Sequence, residues 1–323
     1  MTIPDTTATF EAGDLALDSG EVLPDARIVY RVIGQPDAER SNCILLPTYY
    51  TGNHHSYDAM IGRGQALDPA RWCIVIPNMF GNGWSTSPSH RPEGARFPVI
   101  SVADNVRAQE RLLSEHLGIT RLALAAGWSM GAMQAIGWAA LFPDKAERLL
   151  AWCGAARCWP LNRVFLEGVR AALLADAAPG HAAGLRAFGR AYAGWAYSAA
   201  FFRDEGWRAL GMESLETLLA FWEDDHAAWH PDDLLAMLET WRTADLLPLL
   251  PAIRARSVIM PCDTDAYFTA AENRIEAALI PGAVVRVLRS DAGHCAGAPG
   301  RFAAETALIE AEIARLLALP APA

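Results

Sequence analysis

Short uninterrupted apolar runs alternate with longer stretches of helical periodicity between about residue 40 and residue 155. The runs Cys43–Leu46, Cys73–Ile76, Leu122–Ala126 and Leu149–Cys153 show no polar alternation. That pattern predicts parallel strands covered on both faces. Two earlier segments, 10–17 and 26–32, lie close together and predict an antiparallel, hairpin-like lead-in. Helical patterns fill the gaps. Ser101-Val-Ala-Asp104 offers an N-cap serine with an acidic residue three positions on, leads into NVRAQERLLSEHLG and stops at Gly118. A second helix begins just after Ser129 and reaches Phe142, where Pro143 and Asp144 end it. This order predicts a mostly parallel sheet flanked by helices on both sides.

From about 160 to 250 the strand-like runs vanish, and Ala, Leu and aromatic residues recur at helical spacing. Trp159, Trp195, Trp207, Trp222, Trp229 and Trp241 fall in or beside this stretch. Most of them read as helix-packing core, and a few as the wall of an apolar substrate pocket. Apolar runs return at Ser257–Met260 and Val284–Leu288, followed by a closing helix over 301–317. The chain thus divides into a core, 1–158 with 251–323, and a helical lid inserted at 159–250. No repeat or low-complexity tract appears beyond the Ala/Pro tail.

Composition narrows the partners. A net charge of −10, with no run of Lys or Arg, lacks the electrostatic term that drives binding to nucleic acid or anionic membranes. No apolar stretch is long enough to span a bilayer, and the N-terminus shows no signal-peptide pattern, so a cytoplasmic location is expected. Cys43, Cys73, Cys153, Cys158, Cys262 and Cys295 are scattered, with no CxxC pair, and read as buried free thiols.

Gly127-Trp128-Ser129-Met130-Gly131 matches G-x-S-x-G, follows the strand-like RLALAA and opens a helix. A serine at so sharp a turn projects its oxygen above the sheet edge, and the helix N-terminus favours developing negative charge there. The context predicts the α/β-hydrolase fold, in which an acid and then a histidine follow the serine in chain order. After SVIM come Asp263 and Asp265, which compete for the acid role. His294 is the only histidine after position 230, and it sits between the last strand and the last helix. His54, His55 and Asp58 share a loop without metal-site spacing, so no metal is expected. Neither Gly62-Arg-Gly64 nor Gly81-Asn-Gly83 completes G-x-G-x-x-G, so no dinucleotide cofactor is expected.

GWSMGAMQAIGWA resembles the nucleophile segment of the homoserine O-acetyltransferase family, and DNVRAQERLLSEHLGI is similar to its preceding helix. PNMFGNGWSTSPS resembles its Gly- and Ser-rich loop, and Thr51-Gly52 a pair near its oxyanion hole. The likeness spans about residues 15 to 315 and is weakest in the helical insertion. It implies Ser129, Asp265 and His294 as a triad, the backbone N–H groups of Tyr50 and Met130 as oxyanion donors, and a homodimer. Two family positions differ. Cys295 stands where the family carries an acid that helps hold the homoserine amino group. Leu166 stands four after Asn162, where the family places an arginine for the substrate carboxylate; Arg163 and Arg170 are nearby candidates off register. Without both counter-charges a zwitterionic acceptor is disfavoured. The expected activity is hydrolysis of small carboxylic esters through an acyl-serine. The alternative is O-acyl transfer from an acyl-CoA co-substrate to a small alcohol. A non-catalytic binder on the same fold is disfavoured by the intact Ser, Asp and His set.

Overall fold

The computed structural model describes residues 3–320, so the end of the Ala/Pro tail and the first two residues of the N-terminal reading lie outside it. The lead-in is a long antiparallel pair, β1 (Asp5–Ala16) and β2 (Val22–Ile33). After it come β3 (Cys43–Leu45), β4 (Cys73–Pro77), helix α1 (Val102–Arg111), β5 (Leu124–Trp128), α2 (Met130–Leu141) and β6 (Arg148–Trp152). Five helices then intervene: α3 (Pro160–Leu174), α4 (Ala182–Ala196), α5 (Ala199–Arg203), α6 (Leu215–Ala227) and α7 (Pro231–Arg242). The core resumes with β7 (Arg256–Met260), α8 (Ala270–Ala277), β8 (Val284–Val285) and α9 (Ala303–Ala318). The eight strands form one sheet in the order β1-β2-β4-β3-β5-β6-β7-β8, parallel from β4 onward.

The unbroken apolar runs have a simple cause. Alternate residues of one strand face opposite sides of the sheet, and both sides are covered. Cys73 and Val75 pack with α1 and α2, whereas Ile74 and Ile76 pack in a second cluster with Ile309, Ile313 and Leu316 of α9. Ser101 caps α1 reciprocally with Asp104, as its sequence predicts. That helix ends at Arg111, and a wider π-type turn over Leu112–His116 carries the chain toward Gly118.

Two expected strands differ in extent. The run placed at Leu122–Ala126 begins at Leu124 and continues to Trp128, so it delivers the chain directly to Ser129. The run placed at Val284–Leu288 is regular only at Val284–Val285, although Leu288 still donates its backbone N–H to Pro261 O at 2.8 Å. All six cysteines are free thiols. No helix among the described residues is long and apolar enough to cross a membrane.

The inserted helices pack over loops that follow β3 and β7. Tyr50 stacks on Tyr192 with ring centroids 5.6 Å apart, and Phe165 meets Tyr267 at 4.4 Å. Glu276 of α8 holds the chain where it enters the insertion, accepting from Ala156 N at 2.8 Å and from Trp159 Nε1 at 2.7 Å. Burial pushes its carboxyl up to about 7, and the hydrogen bonds offset only part of that. The folded state therefore favours the protonated form. This stabilisation is complete below the unfolded carboxyl's ordinary value and is lost as pH rises through about 7. At ~1.4 kcal/mol per unit it amounts to a few kcal/mol. Thermal melts should show Tm falling by several degrees between about pH 5 and 8. Glu276→Gln should flatten that slope, and an unchanged slope would refute the assignment.

Candidate active site

Ser129 lies between β5 and α2 with φ 57° and ψ −126°, a strained backbone for a residue with a side chain. The flanking glycines make the turn sterically feasible. A Cβ on Gly127 would lie 2.4 Å from the Gly131 carbonyl carbon, and one on Gly131 would lie 2.5 Å from Pro47 O. Strand and helix can approach this closely only without those side chains.

His294 reaches the serine from the loop before α9. Its Nε2 is 3.1 Å from Ser129 Oγ, and its Nδ1 is 2.8 Å from Asp265 Oδ2. The other Asp265 oxygen accepts the backbone N–H groups of Tyr267 at 2.8 Å and Phe268 at 3.1 Å. The Trp128 indole stacks on the imidazole at 4.9 Å and 23°. Ser129, Asp265 and His294 are all buried, which shields their hydrogen bonds from water. Asp263 takes no part in this chain. It accepts from Ser290 N at 3.2 Å and pairs with Arg289, pinning the loop that follows β8.

Tyr50 lines the same cavity as Ser129, and Met130 follows the serine as the first residue of α2. Neither backbone N–H has a protein acceptor among the described residues. For Met130, first in α2, an unpaired donor is the ordinary state of a helix start. The Tyr50 loop is fixed from below by a buried amide relay. Gln134 Nε2 donates to Thr48 O at 2.7 Å, and Gln109 Nε2 donates to Gln134 Oε1 at 2.6 Å.

Ser129 and His294 open onto a cavity of about 180 Å³ walled by Tyr49, Tyr50, Trp128, Tyr192, Phe221 and Trp222. At ~30 Å³ per water it holds about six water-sized groups, enough for a short ester. Cys295, Asp225 and Arg301 also line it.

Arg163 and Arg170, the candidates for gripping a carboxylate, lie elsewhere. Helix α3 buries Asn162, Phe165, Leu166, Val169 and Leu173, and a period of 3.6 turns positions 163 and 170 to the exposed side. Arg170 instead borders an outer groove beside the Pro88–Val99 loop. The family's two counter-charge positions carry no charge here, but the cavity wall holds Arg301 and Asp225 from other positions. Sequence contained a faint signal for each. Asp225 shares a helical face with Phe221 and Trp222, and Arg301 follows His294 on one loop. His55 and Asp58 engage Arg31, which also pairs with Asp5 at 2.6 Å. No cluster fit to hold a metal occurs among the described residues.

Fold and cavity together define an enzyme of the α/β-hydrolase class. A family model described as alpha/beta hydrolase fold matches residues 44–298, and the chain belongs to that family. Ethyl acetate hydrolase of Pseudomonas veronii is 34% identical over 331 residues, covering 96% of this chain and 95% of its own. The crystal structure of an acetylester hydrolase from Corynebacterium glutamicum superposes with a TM-score of 0.92 at 32% identity, covering 97% of this chain and 96% of the other. Homoserine O-acetyltransferase of Geobacter sulfurreducens is 39% identical over 178 residues, covering 49% of this chain and 48% of its own. Within the family the chain falls in the branch resembling homoserine O-acetyltransferases, alongside esterases.

Proposed function

We propose that the protein hydrolyses short-chain carboxylic esters through an acyl-Ser129 intermediate. The hydrogen-bonded chain from Ser129 through His294 to Asp265, opening onto a small aromatic cavity, carries this reading. Ser129 Oγ attacks the ester carbonyl carbon while His294 Nε2 takes its proton. Asp265 keeps the remaining proton on Nδ1 and stabilises the imidazolium. The N–H groups of Tyr50 and Met130 receive the oxyanion. His294 then protonates the departing alkoxide. Water, deprotonated by the same nitrogen, resolves the acyl-enzyme to free acid. The inserted helices act as a lid over this chemistry. Six unpaired thiols support a cytoplasmic setting.

A second reading keeps the first half-reaction and passes the acyl group to an alcohol. Arg301 and Asp225 in one cavity favour it, because they could hold the two charges of an amino-acid acceptor. Relatives matched along nearly their full length are named as ester hydrolases, whereas the acetyltransferase matches over about half, which favours water as acceptor. Incubation with a short ester or acetyl-CoA and millimolar homoserine, read by mass spectrometry, separates the two. The expected product is free acid. O-acetylhomoserine as the main product would overturn the hydrolase reading.

A further inference from the structure

Arg301 is the one arginine in the wall of the ester cavity. It closes the loop that carries His294, immediately before Phe302, the N-cap of α9. Its Nη1 donates to Tyr197 Oη at 3.0 Å, and its guanidinium lies over the Phe221 ring at 5.3 Å. These contacts fix the group in place. They do not neutralise it.

A guanidinium carries five N–H donors and stays charged at any working pH. Tyr197 takes one of them, and the Cys295 thiol also interacts with the guanidinium. No carboxylate forms an ion pair with Arg301 among the described residues, although the charge of Asp225 acts on it through space. Its neighbour Cys295 is no substitute, because burial pushes that thiol up and keeps it neutral. The Arg301 side chain lines the same cavity as Ser129 and His294. Asp225 lines the same cavity on α6 with its side chain 42% exposed, where water solvates its charge. A guanidinium held in place without a paired carboxylate, in one small cavity with the serine, suits a planar bidentate anion.

We propose that Arg301 is the carboxylate-recognition residue of this cavity, and that the favoured substrates are short esters bearing a carboxylate on the acyl or the alcohol side. The proposal rests on the ester-hydrolase reading and names its substrate class. The cavity volume limits such substrates to a carboxylate a few bonds from the scissile carbonyl.

Two substrate pairs test it and identify the side. Ethyl hydrogen succinate against ethyl pentanoate reports an acyl-side carboxylate, and 3-acetoxypropanoate against propyl acetate reports an alcohol-side one. In the parent protein, kcat/KM for the charged member of at least one pair should exceed its neutral partner by tenfold or more. Arg301→Gln should shrink that ratio about tenfold, mainly through KM, and Arg301→Lys should restore part of it. A merely structural role for Arg301 would lower both members together and leave the ratio unchanged, which would overturn the proposal. A parent ratio at or below one in both pairs would overturn it as well, while leaving ester hydrolysis standing. Failure to hydrolyse any of the four esters would instead refute the hydrolase reading beneath it.

Discussion

Ser129→Ala is expected to lower kcat for a short ester by about 10⁵ or more while leaving the protein folded. Among the described residues the side-chain oxygen makes one protein hydrogen bond, to His294 Nε2, so its removal strands no other buried group. Alanine has the same need as serine at φ 57°, and the close approach at Gly127 and Gly131 is untouched. Tm should therefore stay within about 2 °C of the parent, as for a substitution that changes neither packing nor burial. Labelling by an active-site-directed fluorophosphonate should disappear with the turnover. The residual rate would come from the oxyanion donors and cavity binding alone. Turnover within tenfold of the parent would remove Ser129 from the chemistry.

The sheet was legible because its strands are covered twice. Runs such as Cys73–Pro77 must be apolar at every position, a pattern that no half-exposed element produces. The turn at Ser129 was legible because close backbone approach at both Gly127 and Gly131 dictates the spelling G-x-S-x-G locally. His294 followed from chain order and from its position after the last strand. What failed depended on which way a helix faces in three dimensions. Arg163 and Arg170 lie near Asn162 though off register, and α3 buries Asn162, Phe165 and Leu166 and turns both arginines outward. Conversely, Arg301 and Asp225 lie 76 positions apart and meet in one cavity only because α6 and the His294 loop converge above Ser129. No local periodicity encodes that convergence. It arises from the packing of the insertion on the core.

The choice between Asp263 and Asp265 was left open by spacing, and the two make different predictions. Asp265→Asn is expected to lower kcat by roughly 10³–10⁴ with little change in KM. One Asp265 oxygen accepts the N–H groups of Tyr267 and Phe268, and an asparagine carbonyl can keep both bonds. Its NH₂ group would then face His294 Nδ1 at the present 2.8 Å separation. A donor there requires Nδ1 to be the acceptor, which places the ring proton on Nε2. Nε2 then has no lone pair for the Ser129 proton, although the fold and the cavity are unchanged. Asp263→Asn should behave differently, because that side chain is partly exposed and serves Ser290 and Arg289. Its loss should cost activity no more than a few-fold and show mainly as slightly lower thermal stability. Steady-state kinetics of both variants on one short ester decide the matter. Equal losses would mean that the loop after β8, rather than a single carboxylate, orients His294, and the reverse ranking would transfer the acid role to Asp263.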